Sequence, residues 1–250
     1  MEVSKIPNHV KNKLRLSGEQ SRINELLESV KGEDTVLDFN KIIPMPESLK
    51  IESGKRTEIG LKAYCDFIGM YIFKKGENMP DLLNIPEKSE QAYLGSLKDM
   101  DSEQWELGKT AFQNQIKYSA PTWYEWAIEN WGTKWSAYDA VIAEDNTIEF
   151  NTAWSNAFPI ISELAYMFQD ITFEYRWADE ELGANVGMVE FTGSELVHDE
   201  YYNDFSREAY EFAAELWGLD LEEMGYVFDE KTQTHEDHDP EDQDESPTMS

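Results

Sequence analysis

Between Val10 and Leu16, apolar Val10, Leu14 and Leu16 alternate with Lys11, Lys13 and Arg15, and Asn12 interrupts the apolar row. A period of two lays such a stretch down as a strand with one face buried. Ser17-Gly18 supplies a turn. Ile23, Leu26, Leu27 and Val30 then recur at helical spacing up to a stop at Gly32. Thr35–Phe39 reads as a second strand and completes a β-α-β unit. The same order returns late in the chain, with Thr147–Ala153 a strand, Phe158–Phe168 a helix carrying Ile161, Leu164, Ala165 and Phe168 on one side, and Ile171–Trp177 an alternating strand. Asn185–Phe191 and Glu195–Asp199 add two more strands. Strand–helix–strand patterns at both ends of one chain predict an α+β fold.

The intervening chain follows a different pattern. The prolines of Ile42-Ile43-Pro44-Met45-Pro46 exclude a helix and predict an extended corner. Residues 57–131 read as mainly helical, with breaks around Gly76–Pro80, Pro86 and Pro121. Trp123, Trp126, Trp131 and Trp135 stand close together there. They could form a stacking platform for bases, but such platforms need basic neighbours, and Lys134 alone is near. The favoured reading has Trp123 and Trp126 packing inward from one helix face, with Gly132-Thr133 as the stop. The expected organisation is thus residues 1–56 as the first β-α-β part, 57–135 as a helical insertion, and 136–200 as the second β-α-β part with added strands. Residues 201–228 would form an acidic amphipathic helix, and 229–250 a disordered acidic tail.

At 250 residues, 40% hydrophobic and 13% aromatic, the chain has ample material for a core. Its lone cysteine, Cys65, excludes an internal disulfide and a thiolate zinc site, fits a reducing compartment, and reads as a small buried hydrophobe. The start MEVSKIPNHVKNKL lacks the apolar run of a signal peptide. No stretch approaches the ~20 apolar residues of a membrane span. The expected location is the cytoplasm.

The net charge of −30 is unevenly spread. Residues 1–60 hold ten basic and ten acidic residues, 61–140 hold eight and twelve, and 141–250 hold three and twenty-nine, or −26. That second half repels phosphates and anionic membranes and attracts basic partners.

Four stretches, in this order, match a known family: Asn8-His9-Val10, Ile42-Ile43-Pro44-Met45-Pro46-Glu47-Ser48-Leu49, Trp131-Gly132-Thr133-Lys134-Trp135, and Thr152-Ala153-Trp154-Ser155 leading to Pro159. Over about residues 5–200 the chain resembles the YubB-like family, encoded by plasmids, phages and pathogenicity islands. The resemblance implies a ferredoxin-like domain with an antiparallel sheet. It brings no catalytic residues, and it implies architectural roles for the motif residues, with prolines at a corner, Gly132 at a helix end and tryptophans in the core.

The chemistry that can be read from the residues points away from catalysis. There is no phosphate loop or dinucleotide fingerprint, and carboxylates are too numerous to single out an acid–base pair. His235-Glu236-Asp237-His238-Asp239 offers metal-ligand types, but a flexible tail supplies no fixed second shell. No cofactor and no metal are expected. Asp204, Glu208, Glu211 and Glu215 recur at spacings of four, three and four on one face of a helix over Asn203–Trp217, with Phe205, Phe212 and Leu216 turned inward. With Glu222, Glu223, Asp179, Glu180 and Glu181 they form the expected partner-binding surface. The leading expectation is an acidic inhibitor that occupies the basic groove of a host nucleic-acid-binding defence protein, restriction or CRISPR type, as a nucleic-acid mimic. Two other readings stand beside it: an interaction module whose acidity only keeps it dissolved, and an RNA-binding domain using Lys11, Lys13 and Arg15.

Overall fold

The computed structural model describes residues 8–75, 81–83, 85–229 and 234–237. In chain order the elements are β1 (His9–Ser17), α1 (Gln20–Ser29), α2 (Lys55–Lys75), α3 (Glu87–Leu94), α4 (Ser102–Tyr118), α5 (Trp123–Trp131), β2 (Tyr138–Ile142), β3 (Thr147–Ala153), α6 (Phe158–Met167), β4 (Thr172–Asp179), β5 (Gly187–Thr192), β6 (Glu195–Tyr201), α7 (Arg207–Trp217), β7 (Tyr226–Asp229) and β8 (Thr234–Asp237). They fall into two compact units, residues 1–44 with 130–250, and residues 45–129.

The first unit is built on a six-stranded sheet of order β2-β3-β1-β4-β5-β6, and every neighbouring pair is antiparallel. The first four strands, β1 to β4, with α1 and α6 make the β-α-β-β-α-β arrangement of a ferredoxin-like fold, with β1 between β3 and β4. The alternation read from the sequence sets the sheet's two faces. Val10, Asn12, Leu14 and Leu16 are buried with Ile148, Phe150 and Thr152 of β3 and Phe173, Tyr175 and Trp177 of β4. α6 packs against β4 and β5 with Ile160, Ile161, Leu164 and Ala165 buried. The opposite face carries Lys11, Lys13 and Arg176, and α7 crosses it, so that Arg176 lies over the Phe212 ring (4.3 Å) and Lys11 over Trp217 (5.5 Å).

Thr35–Phe39 is not a strand. Both edges of β1 are occupied, by β3 and β4, which leaves no edge for it to pair with. Instead Asp38 N donates to Val30 O (2.8 Å) and the segment closes the end of α1, with Leu37 and Phe39 buried. The second strand of that β-α-β unit is β2, which the sequence reading missed. It lies some hundred residues further on, after the helical unit, and its short, bulged course hides the alternation. Two C-terminal boundaries also differ from expectation. The last helix starts at Arg207, because Ser206 caps it by accepting from Ala209 N and Phe205 sits at φ 60. Within the expected tail, Thr234–Asp237 forms a strand paired antiparallel with Tyr226–Asp229; residues 230–233 and 238–250 lie outside the described residues.

The helical unit is held by two devices. Gly60 and Gly108 bring α2 and α4 into backbone contact, so that a Cβ added at Gly108 would lie 2.2 Å from Gly60 O. Around that contact Tyr64, Phe67 and Trp105 are buried with Tyr93 and Phe112 against them. At the edge of this cluster Glu90 is buried, accepting from Lys109 Nζ (2.7 Å) and from Tyr64 OH (3.1 Å). The Pro46–Leu49 corner docks on α4 through Ser48, whose hydroxyl donates to Asn114 Oδ1 (2.7 Å) and whose carbonyl accepts from Asn114 Nδ2 (2.8 Å). Cys65 is exposed rather than buried, because it falls on the outer face of α2 between Tyr64 and Phe67, which turn inward.

Candidate functional site

The nine acidic residues singled out from the sequence do not form one surface. Asp204 precedes α7 and accepts from Asn185 N (3.1 Å), so the helix stripe reduces to Glu208, Glu211 and Glu215. Of these, Glu215 accepts from Arg176 Nη1 (3.0 Å) and Glu211 from Arg207 Nε (2.6 Å). The bond from Arg176, helped by the charges of Arg176 and Lys13, holds the Glu215 carboxyl below the usual glutamate range. Phe205 is exposed and does not join the inward face, since it lies outside the helix.

Asp179 is buried, not a surface contact. Its Oδ1 accepts from Asn8 Nδ2 (3.2 Å) and Glu181 N (2.9 Å), while Trp217 Nε1 donates to its carbonyl (3.0 Å) and anchors the end of α7. Burial raises the Asp179 pKa above the usual aspartate value, with Glu180 and Glu181 adding to the shift. A carboxyl whose folded pKa is raised favours the folded state at low pH and loses that contribution as pH climbs from its unfolded pKa through its folded one. Asp179→Asn keeps an acceptor for both hydrogen bonds and removes the buried charge. It is expected to raise the thermal midpoint at pH 7, with the gain vanishing near pH 3, as measured by calorimetry at the two pH values.

Glu211, Glu215 and Glu222 are brought together, with Asp220, around a groove of about 850 Å³ beside α7. Leu219, Leu221, Tyr226 and Phe228 also line it. The acidic stripe pointed to one wall of this groove. The apolar residues were not foreseen, because Tyr226 and Phe228 fall in the stretch expected as an acidic helix over residues 201–228, whereas the helix ends at Trp217 before Gly218 and Tyr226–Asp229 is a strand. Arg207 spans the wall, pairing with Glu211 and lying over the Phe228 ring (4.6 Å). Glu223 and Glu208 are exposed, Glu181 lies beside Tyr210, and Glu180 N donates to His9 O (2.8 Å) at the start of β1. The basic strip of β1 is not a free cationic surface, since Lys13 and Lys11 face Glu149 at 3.1 and 3.9 Å.

A second feature was legible only as scattered motifs. Parts of all four quoted stretches meet at the end of the sheet where β1 begins and β3 and β4 finish. Trp131 Nε1 donates to Ile43 O (2.9 Å), and Thr133 both donates to Ala153 O (2.9 Å) and accepts from Ala153 N (3.1 Å). Gly132, at φ 79, leaves no room for a Cβ, which would meet Pro159 Cδ at 2.8 Å and Asn156 O at 2.9 Å. Beneath lies a buried network in which Tyr175 OH donates to Asn12 Oδ1 (2.5 Å) and accepts from Ala157 N (2.8 Å), while Asn12 Nδ2 donates to Thr152 Oγ1 (2.9 Å). Asn12, the lapse in the apolar row, is the hub of this network.

This framework holds Trp154 in the left-handed region at φ 68, its N–H donating to Asn8 O (2.9 Å). The Lys134 ammonium sits over both the Trp135 ring (4.4 Å) and the Trp154 ring (4.7 Å), and both rings are exposed. Trp135 is therefore not core, unlike Trp126 and Trp131, because Gly132 ends α5 and turns the chain outward. Because a left-handed backbone costs a residue with a Cβ about 1 kcal/mol, Trp154→Gly is expected to be more stable than Trp154→Ala by about that amount in urea denaturation.

Among the described residues no cluster of His, Cys, Asp or Glu could hold a metal, and no helix is long and apolar enough to cross a membrane. No curated protein matches the chain. A crystal structure of a protein Api92 from Yersinia pseudotuberculosis is similar to it at 12% identity, covering 79% of this chain and 98% of that one, with a TM-score of 0.40. Residues 130–220, which run from the end of α5 through β2–β6 to the end of α7, match the family described as the ferredoxin-like domain in Api92-like protein.

Proposed function

We propose that this chain is a non-catalytic binding protein that engages the basic surface of a partner with the acidic side of its ferredoxin-like unit. The observation that carries this reading is the groove beside α7, where Glu211, Glu215, Asp220 and Glu222 surround an apolar lining. Carboxylates around apolar contacts suit Lys- and Arg-bearing surfaces, whose aliphatic stems pack while their charges pair. The partner proposed is a host nucleic-acid-binding defence protein, restriction or CRISPR type, with the acidic surface standing in its basic groove as a nucleic-acid mimic. Support comes from the twenty-nine acids against three bases in residues 141–250 and from the resemblance to YubB-like proteins of mobile elements. Glu208, Glu211 and Glu215 climb α7 over about 10 Å at 1.5 Å per residue, which sets negative charges in a line as a nucleic-acid strand does.

The test is a pulldown from host lysate with the natural chain and with a variant carrying Glu208→Gln, Glu211→Gln, Glu222→Gln and Glu223→Gln. Glu215 is left in place so that Arg176 keeps its partner. A basic partner recovered at low salt should be lost near 0.5 M salt, where screening reaches down to about 4 Å. It should also be displaced by added nucleic acid and bound at least tenfold more weakly by the variant. Equal recovery of one partner by both proteins at both salts would mean that the acidity serves only solubility.

A further inference from the structure

The helical unit carries a groove of opposite character. It measures about 700 Å³ and is lined by Phe67, Met70, Tyr71 and Lys74 of α2 and by Lys88 and Tyr93 of α3, among others. The α2 residues are spaced three, one and three apart, which puts them on a single face. Phe67 is buried, contacts Tyr93 (ring centroids 5.3 Å), and is backed by Trp105 at 5.7 Å. In a chain of net charge −30, none of the described residues lining this groove bears a carboxylate. Glu90, the neighbouring acid on α3, is turned away into its buried pairing with Lys109 and Tyr64. Lys74 and Lys88 are exposed, and neither makes an ion pair among the described residues.

We propose that this groove binds a small amphipathic organic anion. Its aliphatic or aromatic body would lie against Phe67, Met70, Tyr71 and Tyr93, with its carboxylate or sulfonate held by Lys74 and Lys88. The volume lies within the range of small-molecule clefts, and an apolar wall with a few placed polar groups is their usual make-up. Charge complementarity selects the sign. A cation of the same shape gains the apolar contacts but meets two ammonium groups, whereas an anion pairs with both. Such a site is independent of the acidic groove of the other unit, so either proposal can fail without the other.

The probes are dodecanoate and dodecyltrimethylammonium, which share a chain and differ in headgroup sign, titrated calorimetrically into the full chain below their micelle concentrations. Ionic strength is set near 0.15 M, where the screening length of about 8 Å mutes the protein's overall field. Dodecanoate is expected to bind at one site, the cation at least tenfold more weakly. Lys74→Glu with Lys88→Glu should weaken dodecanoate at least tenfold, while Lys74→Gln with Lys88→Gln gives an intermediate loss. Both pairs change exposed side chains, and an unchanged thermal midpoint checks that the fold is intact. The proposal is overturned if the two probes bind alike, if the charge-reversed variant keeps its affinity, or if no saturable binding appears up to about 1 mM.

Discussion

Gly108→Ala is expected to destabilise the helical unit by about 2–3 kcal/mol, although alanine favours a helix over glycine by about 1 kcal/mol. The added methyl would lie 2.1 Å from Gly60 C, 2.2 Å from Gly60 O and 2.6 Å from Leu61 N. Those atoms are backbone, with no rotamer to change, so α2 and α4 must separate. Separation loosens Tyr64 and Trp105, which pack at 5.1 Å between the same two helices. Gly69→Ala is the matched control, since it lies on α2 with nothing within 4 Å of its added methyl. It should stabilise by up to about 1 kcal/mol. Urea denaturation of the two variants should therefore move the midpoint in opposite directions, and movement in the same direction would show that the glycine contact does not hold α2 to α4.

Tyr175→Phe should cost about 2 kcal/mol while removing a single oxygen. That oxygen is fully buried, donates to Asn12 Oδ1 and accepts from Ala157 N, so its loss leaves a buried acceptor and a buried donor without partners. The phenol gives the same account from the other side, because burial pushes the Tyr175 pKa well above the tyrosine range. Tyr166→Phe, on the exposed side of α6, serves as the comparison and is expected to change stability by less than about 0.5 kcal/mol. Thermal and urea unfolding of the two variants measure the difference. The same substitution should loosen the turn that presents Trp154, because Ala157 N lies three residues beyond it.

Much of this architecture follows from local pattern. The strand β3 is read from sequence with its observed ends, and β1, β4 and β5 within a few residues, because one buried face imposes a period of two on each; β6, exposed along its whole length, is read with its observed start but two residues short. The helical insertion is legible for the complementary reason, since the breaks at Gly76–Pro80 and Pro86 fall between α2 and α3 and that at Pro121 between α4 and α5. β2 and the extended segment at Thr35–Phe39 were exchanged, because which apolar stretch pairs with a sheet depends on which edge is open. The acidic surface divides along the same line. The excess of carboxylates after residue 140 is a property of composition, but whether a given one is available depends on what faces it.

Local alternation, helical spacing and charge count are set residue by residue, so the α+β class, the helical insertion and the acidic second half are consequences of the chain's own order. Partners across the fold are not. The burial of Asp179, the pairing of Glu215 with Arg176, the meeting of four distant stretches around Asn12 and Trp154, and the two grooves of opposite charge arise only once strands and helices remote in sequence are packed together. Side-chain electrostatics act over a few ångströms of space, and the chain by itself orders only its neighbours along its length.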